Sequence, residues 1–447
     1  MLKIIQAQKE AMQKTYPLGY EKRKELLLSL QKAIKVYEKD IYDALYADLH
    51  KDEWEVFVTE LGIVYDELHF AIKNLKRWMR KKRIKTPLVQ FPGKNFIIPE
   101  PFGQVLIMSP WNYPLQLTFL PLIGAIAAGN YAVIKPSAYA PEIAKVMKQI
   151  VETAFPNQEA ILFLGGRQVN EEILKGVYDF IFFTGSPGVG KIVMNKASEN
   201  LTPIVLELGG KSPFIITEDA DIPLTIRRLK FAKLINSGQT CVAPDYVLLD
   251  KKLVDKVEDI KKAFTVVGDE ATRLPKIINE KHYLRLKGIL EEVGSKNFDD
   301  KTQTIRPTVL LNPPLNSEVM QEEIFGPILP IITYDTLDEA IKFVTSRPKP
   351  LALYVFTKSK ETMNKVLTKT TSGSAAINDA VVQLANPHFP FGGVGNSGMG
   401  SYHGYHTFKT FSHQKAVLHK SRFLDFRFRY KPGPKTVGIF KLLGRNK

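Results

Sequence analysis

The sequence predicts an α/β fold built on open, doubly wound parallel sheets. Two observations carry this. From Gly103 onward, short apolar runs alternate with helical patterns, as in strands covered by helices on both faces. The chain has 447 residues, too many for one ordinary core, and a second α/β series begins after Gly209. Two lobes are therefore expected, with a boundary near residues 207–210.

Ahead of the first sheet, residues 20–49 read as one helix. Leu27, Leu30, Ile34, Tyr37, Ile41 and Leu45 recur close to a 3.6-residue period. Residues 53–79 read as a second helix with Val56, Leu61, Val64, Leu68, Ile72 and Leu75 inward. Neither carries a dinucleotide signature. Strands are then expected at 105–108, 131–134, 161–164, 180–183 and 203–208, with a helix over 141–155. The second series is 213–216, 246–249, 328–332, 353–356 and 374–377. In such sheets ligands bind at the carboxyl ends of the strands. The tail differs. Residues 426–430 (Phe-Arg-Phe-Arg-Tyr) alternate with period two and are expected to pair with residues 90–99, forming an arm toward another subunit.

The apolar fraction of 44% and charged fraction of 24% are those of a soluble globular protein. The first residues lack a signal-peptide core, and the apolar stretch 115–128 is too short to span a bilayer, so a cytoplasmic protein is expected. The net charge is +16, with eight basic residues within 73–85 and eleven within 409–447. Without a nucleic-acid-binding motif, this excess reads as solubility and a field that favours anionic ligands. In the tail, Val437, Ile439, Phe440, Leu442 and Leu443 are interspersed with Lys435, Lys441 and Arg445. Docking of this short segment on its own or a partner subunit is expected ahead of peripheral contact with an anionic membrane.

A single cysteine excludes an intramolecular disulfide and a multi-Cys zinc site. Cys241 follows Asn236-Ser237-Gly238-Gln239-Thr240, which is not a core stripe. A turn there could place the thiol among backbone donors that favour thiolate, the nucleophilic form. By itself this context leaves nucleophile and buried small residue evenly matched.

Residues 185–191 fit the start of a P-loop, but Ile192 stands where Ser or Thr must hold magnesium. That argues against a nucleotide hydrolase and leaves a glycine turn at a helix N-terminus, suited to a ligand phosphate or simply a strand-to-helix turn. Glu207, before Gly209 and Gly210, is a carboxylate in apolar sequence. It has either a role or a salt bridge to Lys211. Asn112, between Trp111 and Tyr113 and bracketed by prolines, could donate to an oxyanion or merely cap a turn. His403 and His406 have no third partner spaced for a metal, so no metal is expected and both read as solvent-facing or packing residues.

In this order, the stretches Pro110-Trp111-Asn112-Tyr113-Pro114, Lys135-Pro136-Ser137, Phe183-Thr184-Gly185-Ser186, Glu207-Leu208-Gly209-Gly210-Lys211 and Gly238-Gln239-Thr240-Cys241 resemble the aldehyde dehydrogenase superfamily, particularly its class 3 branch of fatty and aromatic aldehyde dehydrogenases. The resemblance continues through Glu322-Glu323-Ile324-Phe325-Gly326-Pro327, Asn378, Phe389-Pro390-Phe391-Gly392-Gly393 and Ser397-Gly398.

The resemblance implies a Rossmann-type NAD(P) domain (1–85 and 101–206), an α/β catalytic domain (207–408) and a small β oligomerisation arm (86–100 and 409–447). It implies Cys241 as nucleophile, Asn112 with the Cys241 N–H as oxyanion hole, and Glu207 as general base, with Glu323 the alternative. Around an NAD or NADP cofactor it places Lys135, Ser137, Gly185, Ser186, Glu323 and Phe325. It also implies a homodimer that oxidises medium- or long-chain aliphatic, or aromatic, aldehydes through a thioester. The alternatives are release of that thioester to coenzyme A and a non-catalytic nucleotide-binding protein. One departure stands out. Ala138 occupies the place where many relatives have a Glu that binds the adenosine 2′-hydroxyl, so NADP is expected to be accepted beside NAD.

Overall fold

The computed structural model describes residues 1–430 and 433–444. Its centre is two six-stranded sheets. In the first, Gln104–Ser109 is flanked on one side by Tyr131–Pro136 and then Ala160–Leu162, and on the other by Phe180–Thr184 and then Ile204–Glu207, all parallel. Its last strand, Gly398–Met399, runs antiparallel and sets Gly398 opposite Glu207. The second sheet is wholly parallel, in the order Thr308–Leu311, Ile328–Tyr334, Pro244–Asp250, Ser212–Ile216, Ala352–Phe356, Ser374–Ile377. The strands Tyr131–Pro136 and Ala352–Phe356 are buried at every position, which is why their sequences are continuous apolar runs rather than alternating ones.

The helix Pro114–Ala128 is buried along its whole length. It packs against Gly62–Trp78 and Tyr405–Thr410. A Cβ on Gly124 would stand 2.1 Å from Thr407 Cγ2, so glycine there permits the close approach.

Several expected elements differ. The helix expected over 20–49 is two, Tyr20–Val36 and Glu38–Leu49, because the backbone leaves helical geometry at Tyr37 (φ −95°, ψ 16°). The helix expected over 53–79 is Glu53–Val56 and Gly62–Trp78 joined by a π-helical turn, Phe57–Leu61. Residues 426–430 are not a strand, since Arg427–Tyr430 form a 3₁₀ turn. The arm is instead Gly93–Pro101 between Lys82–Ile84 and Ser412–Lys420, all antiparallel. Ser412–Lys420 pairs along the whole of Gly93–Pro101, the place expected for residues 426–430. In the tail, Pro434–Gly444 is a helix lying against the 3₁₀ turn Leu88–Gln90, with Val437 and Leu442 exposed. Arg445, expected on its polar face, lies outside the described residues. Among the described residues no helix is long and apolar enough to cross a membrane.

Candidate active site

A cavity of about 940 Å³ opens beyond the carboxyl end of Ile204–Glu207. Of the expected site residues, Asn112, Gly185, Ser186, Glu207, Cys241, Glu323 and Phe325 line it. Lys135 and Ser137 end a neighbouring strand but do not line this cavity. The Lys135 ammonium is buried and donates to the Pro136 carbonyl at 2.5 Å, and burial lowers it to about 8. Ser137 Oγ accepts from the Tyr139 N–H at 3.2 Å.

Cys241 follows a sharp turn. Asn236, Ser237 and Gly238 all have positive φ (49°, 50° and 74°), a run that L side chains rarely adopt. At Gly238 a side chain would meet the Gly326 carbonyl at 2.4 Å. Gln239 holds the turn from outside. Its amide nitrogen donates to the Asn236 and Lys276 carbonyls at 3.1 and 3.0 Å, and its oxygen accepts from the Ile278 N–H at 3.0 Å. The thiol forms part of the cavity wall, and Cys241 is half-buried. Burial first, then the Glu323 and Glu207 carboxyls, push it up to about 12, against the Cys241 and Val242 N–H groups that pull it down. The donors anticipated from the sequence are present, yet desolvation outweighs them, and the resting group is the thiol.

Asn112 is 2% exposed. Its side-chain nitrogen donates to the Gln239 carbonyl at 3.0 Å, fastening it to the cysteine turn. Glu207 is also buried, and neither carboxyl oxygen has a hydrogen-bond partner among the described residues. Burial raises it well above the usual carboxylate range. The salt bridge to Lys211 weighed from the sequence is not formed. That ammonium pairs with Asp245 and donates to the Val319 and Glu322 carbonyls at 2.8 and 2.7 Å. Asp245 in turn accepts from the Ile324 N–H at 3.0 Å, which locks the Glu207–Lys211 stretch to the Glu322–Pro327 stretch. Burial, and the Asp245 charge after it, raise Glu323 to about 8, opposed by the Gly210 N–H and by Lys211 and Arg285. Phe325 has φ 52° and lies edge-on to Trp111 at 5.4 Å.

Ser186 precedes the helix Pro187–Ser198, whose N-terminus faces the cavity with Gly185. Beside it, Thr184 Oγ1 is buried without a hydrogen-bond partner among the described residues. These donors fit a phosphate-bearing cofactor, and Glu323 offers carboxyl acceptors for sugar hydroxyls. His403 is a packing residue, buried and stacked on Phe391 at 5.3 Å, while His406 is half-buried.

Sequence reasoning missed Tyr402 and His282, which line the cavity, and the buried charges Lys51, Glu55 and Glu60 behind it. A signal for one existed: Glu60 falls four residues before Val64, on the apolar stripe of its helix, where a solvated acid does not belong.

A family model described as "Aldehyde dehydrogenase family" matches residues 1–417. The chain is 46% identical over 413 residues to a 4,4'-diaponeurosporen-aldehyde dehydrogenase of Staphylococcus aureus, covering 90% of each. It is 42% identical to a Canis lupus familiaris protein named "Aldehyde dehydrogenase, dimeric NADP-preferring", covering 94% of each. Among solved structures, one described as "Substrate bound state of Staphylococcus Aureus AldH" superposes with a TM-score of 0.95 at 42% identity, covering all of both chains. A betaine aldehyde dehydrogenase of Staphylococcus aureus in complex with NAD+ is 26% identical with a TM-score of 0.84, covering 94% of this chain and 89% of its own.

Proposed function

The chain belongs to the aldehyde dehydrogenase family, whose members oxidise aldehydes with NAD or NADP, and we propose that Cys241, Asn112 and Glu207 carry the chemistry here. The observation that supports this most is their convergence on one cavity, with the thiol turn tied to the Asn112 amide.

The Cys241 sulfur adds to the aldehyde carbon, and its proton passes to a cavity carboxylate. The carbonyl oxygen becomes an oxyanion, accepted by the second Asn112 amide hydrogen and the Cys241 N–H. A bound nicotinamide cofactor would supply the hydride acceptor through which the adduct carbon is oxidised, leaving a thioester on Cys241. Glu207 then draws a proton from water as it attacks the thioester carbon. The C–S bond breaks, the sulfur takes up a proton and the carboxylic acid leaves. Glu207 suits this role because no other group among the described residues holds its oxygens. Glu323 is the alternative base. In its other role Glu323 would hold the nicotinamide ribose hydroxyls of a bound cofactor with Phe325 nearby, Gly185 and Ser186 would hold its phosphates, and Lys135 and Ser137 would hold its adenosine end.

The proposed substrates are medium- or long-chain aliphatic, or aromatic, aldehydes. Trp111, Leu117, Phe391 and Tyr402 give the cavity apolar walls, and one relative is named a 4,4'-diaponeurosporen-aldehyde dehydrogenase. A cytoplasmic homodimer is proposed, the dimer because a relative is named dimeric. The domain assignment made from the sequence is kept, except that Gly398–Met399 belongs to the first sheet and Lys82–Ile84 and Pro101 belong to the arm. Product analysis by NMR after turnover of decanal, with and without coenzyme A, tests the hydrolytic reading. Decanoic acid in both reactions is expected. Thioester formation that depends on coenzyme A would instead assign the acylating branch.

A further inference from the structure

One N-terminal segment buries four charged side chains, and none of them lines the cavity. Lys51, Glu55, Glu60 and Glu67 are 1%, 7%, 0% and 4% exposed. Each binds backbone in, or next to, a stretch that carries cavity residues. Lys51 Nζ donates to the Asn112 carbonyl at 2.8 Å. Glu60 accepts from the Leu115 N–H at 2.8 Å, Glu55 from the Asn236 N–H at 2.6 Å, and Glu67 from the Gly404 N–H at 2.8 Å. The π turn Phe57–Leu61 makes this set possible. It widens the helix by one residue, so that Glu55 and Glu60, five apart, both reach inward.

Asn112 is where these contacts converge. Its carbonyl accepts from Lys51 Nζ and, at 2.9 Å, from Asn236 Nδ2, which also donates to Gln239 at 3.2 Å. Lys51 is closed by Glu60 at 2.7 Å and lies 4.0 Å from the centre of the Tyr113 ring. The Tyr113 hydroxyl is 2.6 Å from Thr240 Oγ1, next to Cys241. A fully buried ion pair is expensive in desolvation and seldom the best way to fill a core. Here its ammonium holds the Asn112 carbonyl, which Asn236 on the cysteine turn also holds, and lies over Tyr113, whose hydroxyl meets Thr240 on that turn.

We propose that Lys51, gripped by Glu60, is a positioning residue of the oxyanion hole, holding the Asn112 amide and the Cys241 N–H on one point. This rests on the reading of Asn112 and Cys241 given above. A displacement of about 1 Å at such a hole costs on the order of a hundredfold in rate, whereas a residue that only fills the core changes stability.

The test is a double-mutant cycle of Lys51→Met and Asn112→Ala, with kcat expressed per Cys241 thiol that reacts with iodoacetamide. Asn112→Ala is expected to lower kcat by about 10²–10³. Lys51→Met is expected to lower it by roughly 10–100-fold, with aldehyde KM within about threefold and the alkylation rate of Cys241 retained. In the Asn112→Ala background, Lys51→Met should then lower kcat by clearly less than it does alone. If Lys51→Met yields no folded protein, Glu60→Gln carries the same comparison. An unchanged kcat in the Lys51 variant, or losses that multiply in the double variant, would overturn the proposal. An unchanged kcat in Asn112→Ala alone would overturn the oxyanion-hole reading itself, a failure visible in a different variant.

Discussion

Gly209 and Glu323 occupy the same small space: a Cβ at Gly209 would come within 2.1 Å of Glu323 Oε2 and 2.5 Å of Oε1. The carboxyl is therefore pressed against bare backbone, where the next residue, Gly210, donates its N–H to it. Gly209→Ala must push Glu323 away. We expect KM for NAD or NADP to rise about tenfold, roughly 1.4 kcal/mol, with a smaller change in aldehyde KM. Steady-state kinetics with each substrate varied in turn would show it. An unchanged cofactor KM would remove Glu323 from the ribose.

The pH dependence follows from the same carboxyl. Burial raises Glu323 to about 8, so its charged form accumulates only as pH climbs through that value. If it acts as acceptor or base, kcat/KM, which reports free-enzyme groups, should rise through an inflection near 8. Glu323→Gln should abolish that inflection. Its survival in the variant would assign it to another group.

Glu207→Gln separates two steps. Acylation does not need Glu207 as base, so the first-turnover burst of reduced cofactor should remain, while steady-state turnover falls by about 10²–10⁴. Loss of the burst along with turnover would place Glu207 in acylation. Stability should respond too. The folded-state pKa of Glu207 is raised, so its contribution is complete below the ordinary carboxylate range and is lost as pH rises toward the raised value. The Tm of Glu207→Gln relative to the unsubstituted protein should therefore increase as pH rises above the ordinary carboxylate range. A difference that is flat with pH would contradict burial of an ionisable carboxyl at that position.

How much of this was legible in the sequence depends on the kind of signal. The buried parallel strands, such as Tyr131–Pro136, announce themselves as apolar runs because both their faces are covered. Cys241 and Glu207 could be singled out because a polar run and a lone acid are out of place where they occur. The edge strand Thr308–Leu311 and the two-residue Gly398–Met399 were not legible, being short and partly exposed. The arm was assigned to the wrong segment. Residues 426–430 alternate more cleanly than Ser412–Lys420, but alternation does not record which edge is still free. Glu60 was legible on its apolar stripe, but Lys51 was not, because it lies in the short link between Glu38–Leu49 and Glu53–Val56, where a lysine looks the same whether it faces water or a buried carbonyl.

Ala138 bears on cofactor choice. It is exposed just beyond Lys135, at the end of the strand Tyr131–Pro136. With no carboxylate to bind a 2′-hydroxyl or repel a 2′-phosphate, both cofactors should work, kcat/KM for NADP lying within about a thousandfold of that for NAD. Ala138→Glu should shift the ratio toward NAD by at least about tenfold. No shift would place the adenosine ribose elsewhere.

The central claim is that Cys241 is the nucleophile of an aldehyde oxidation. Its most direct test follows cofactor reduction by near-ultraviolet absorbance with hexanal, decanal, hexadecanal and benzaldehyde, for the unsubstituted protein and Cys241→Ser. Reduction of NAD or NADP by the former, with none above background by the latter, is the predicted result. Equal rates from both proteins would contradict the account.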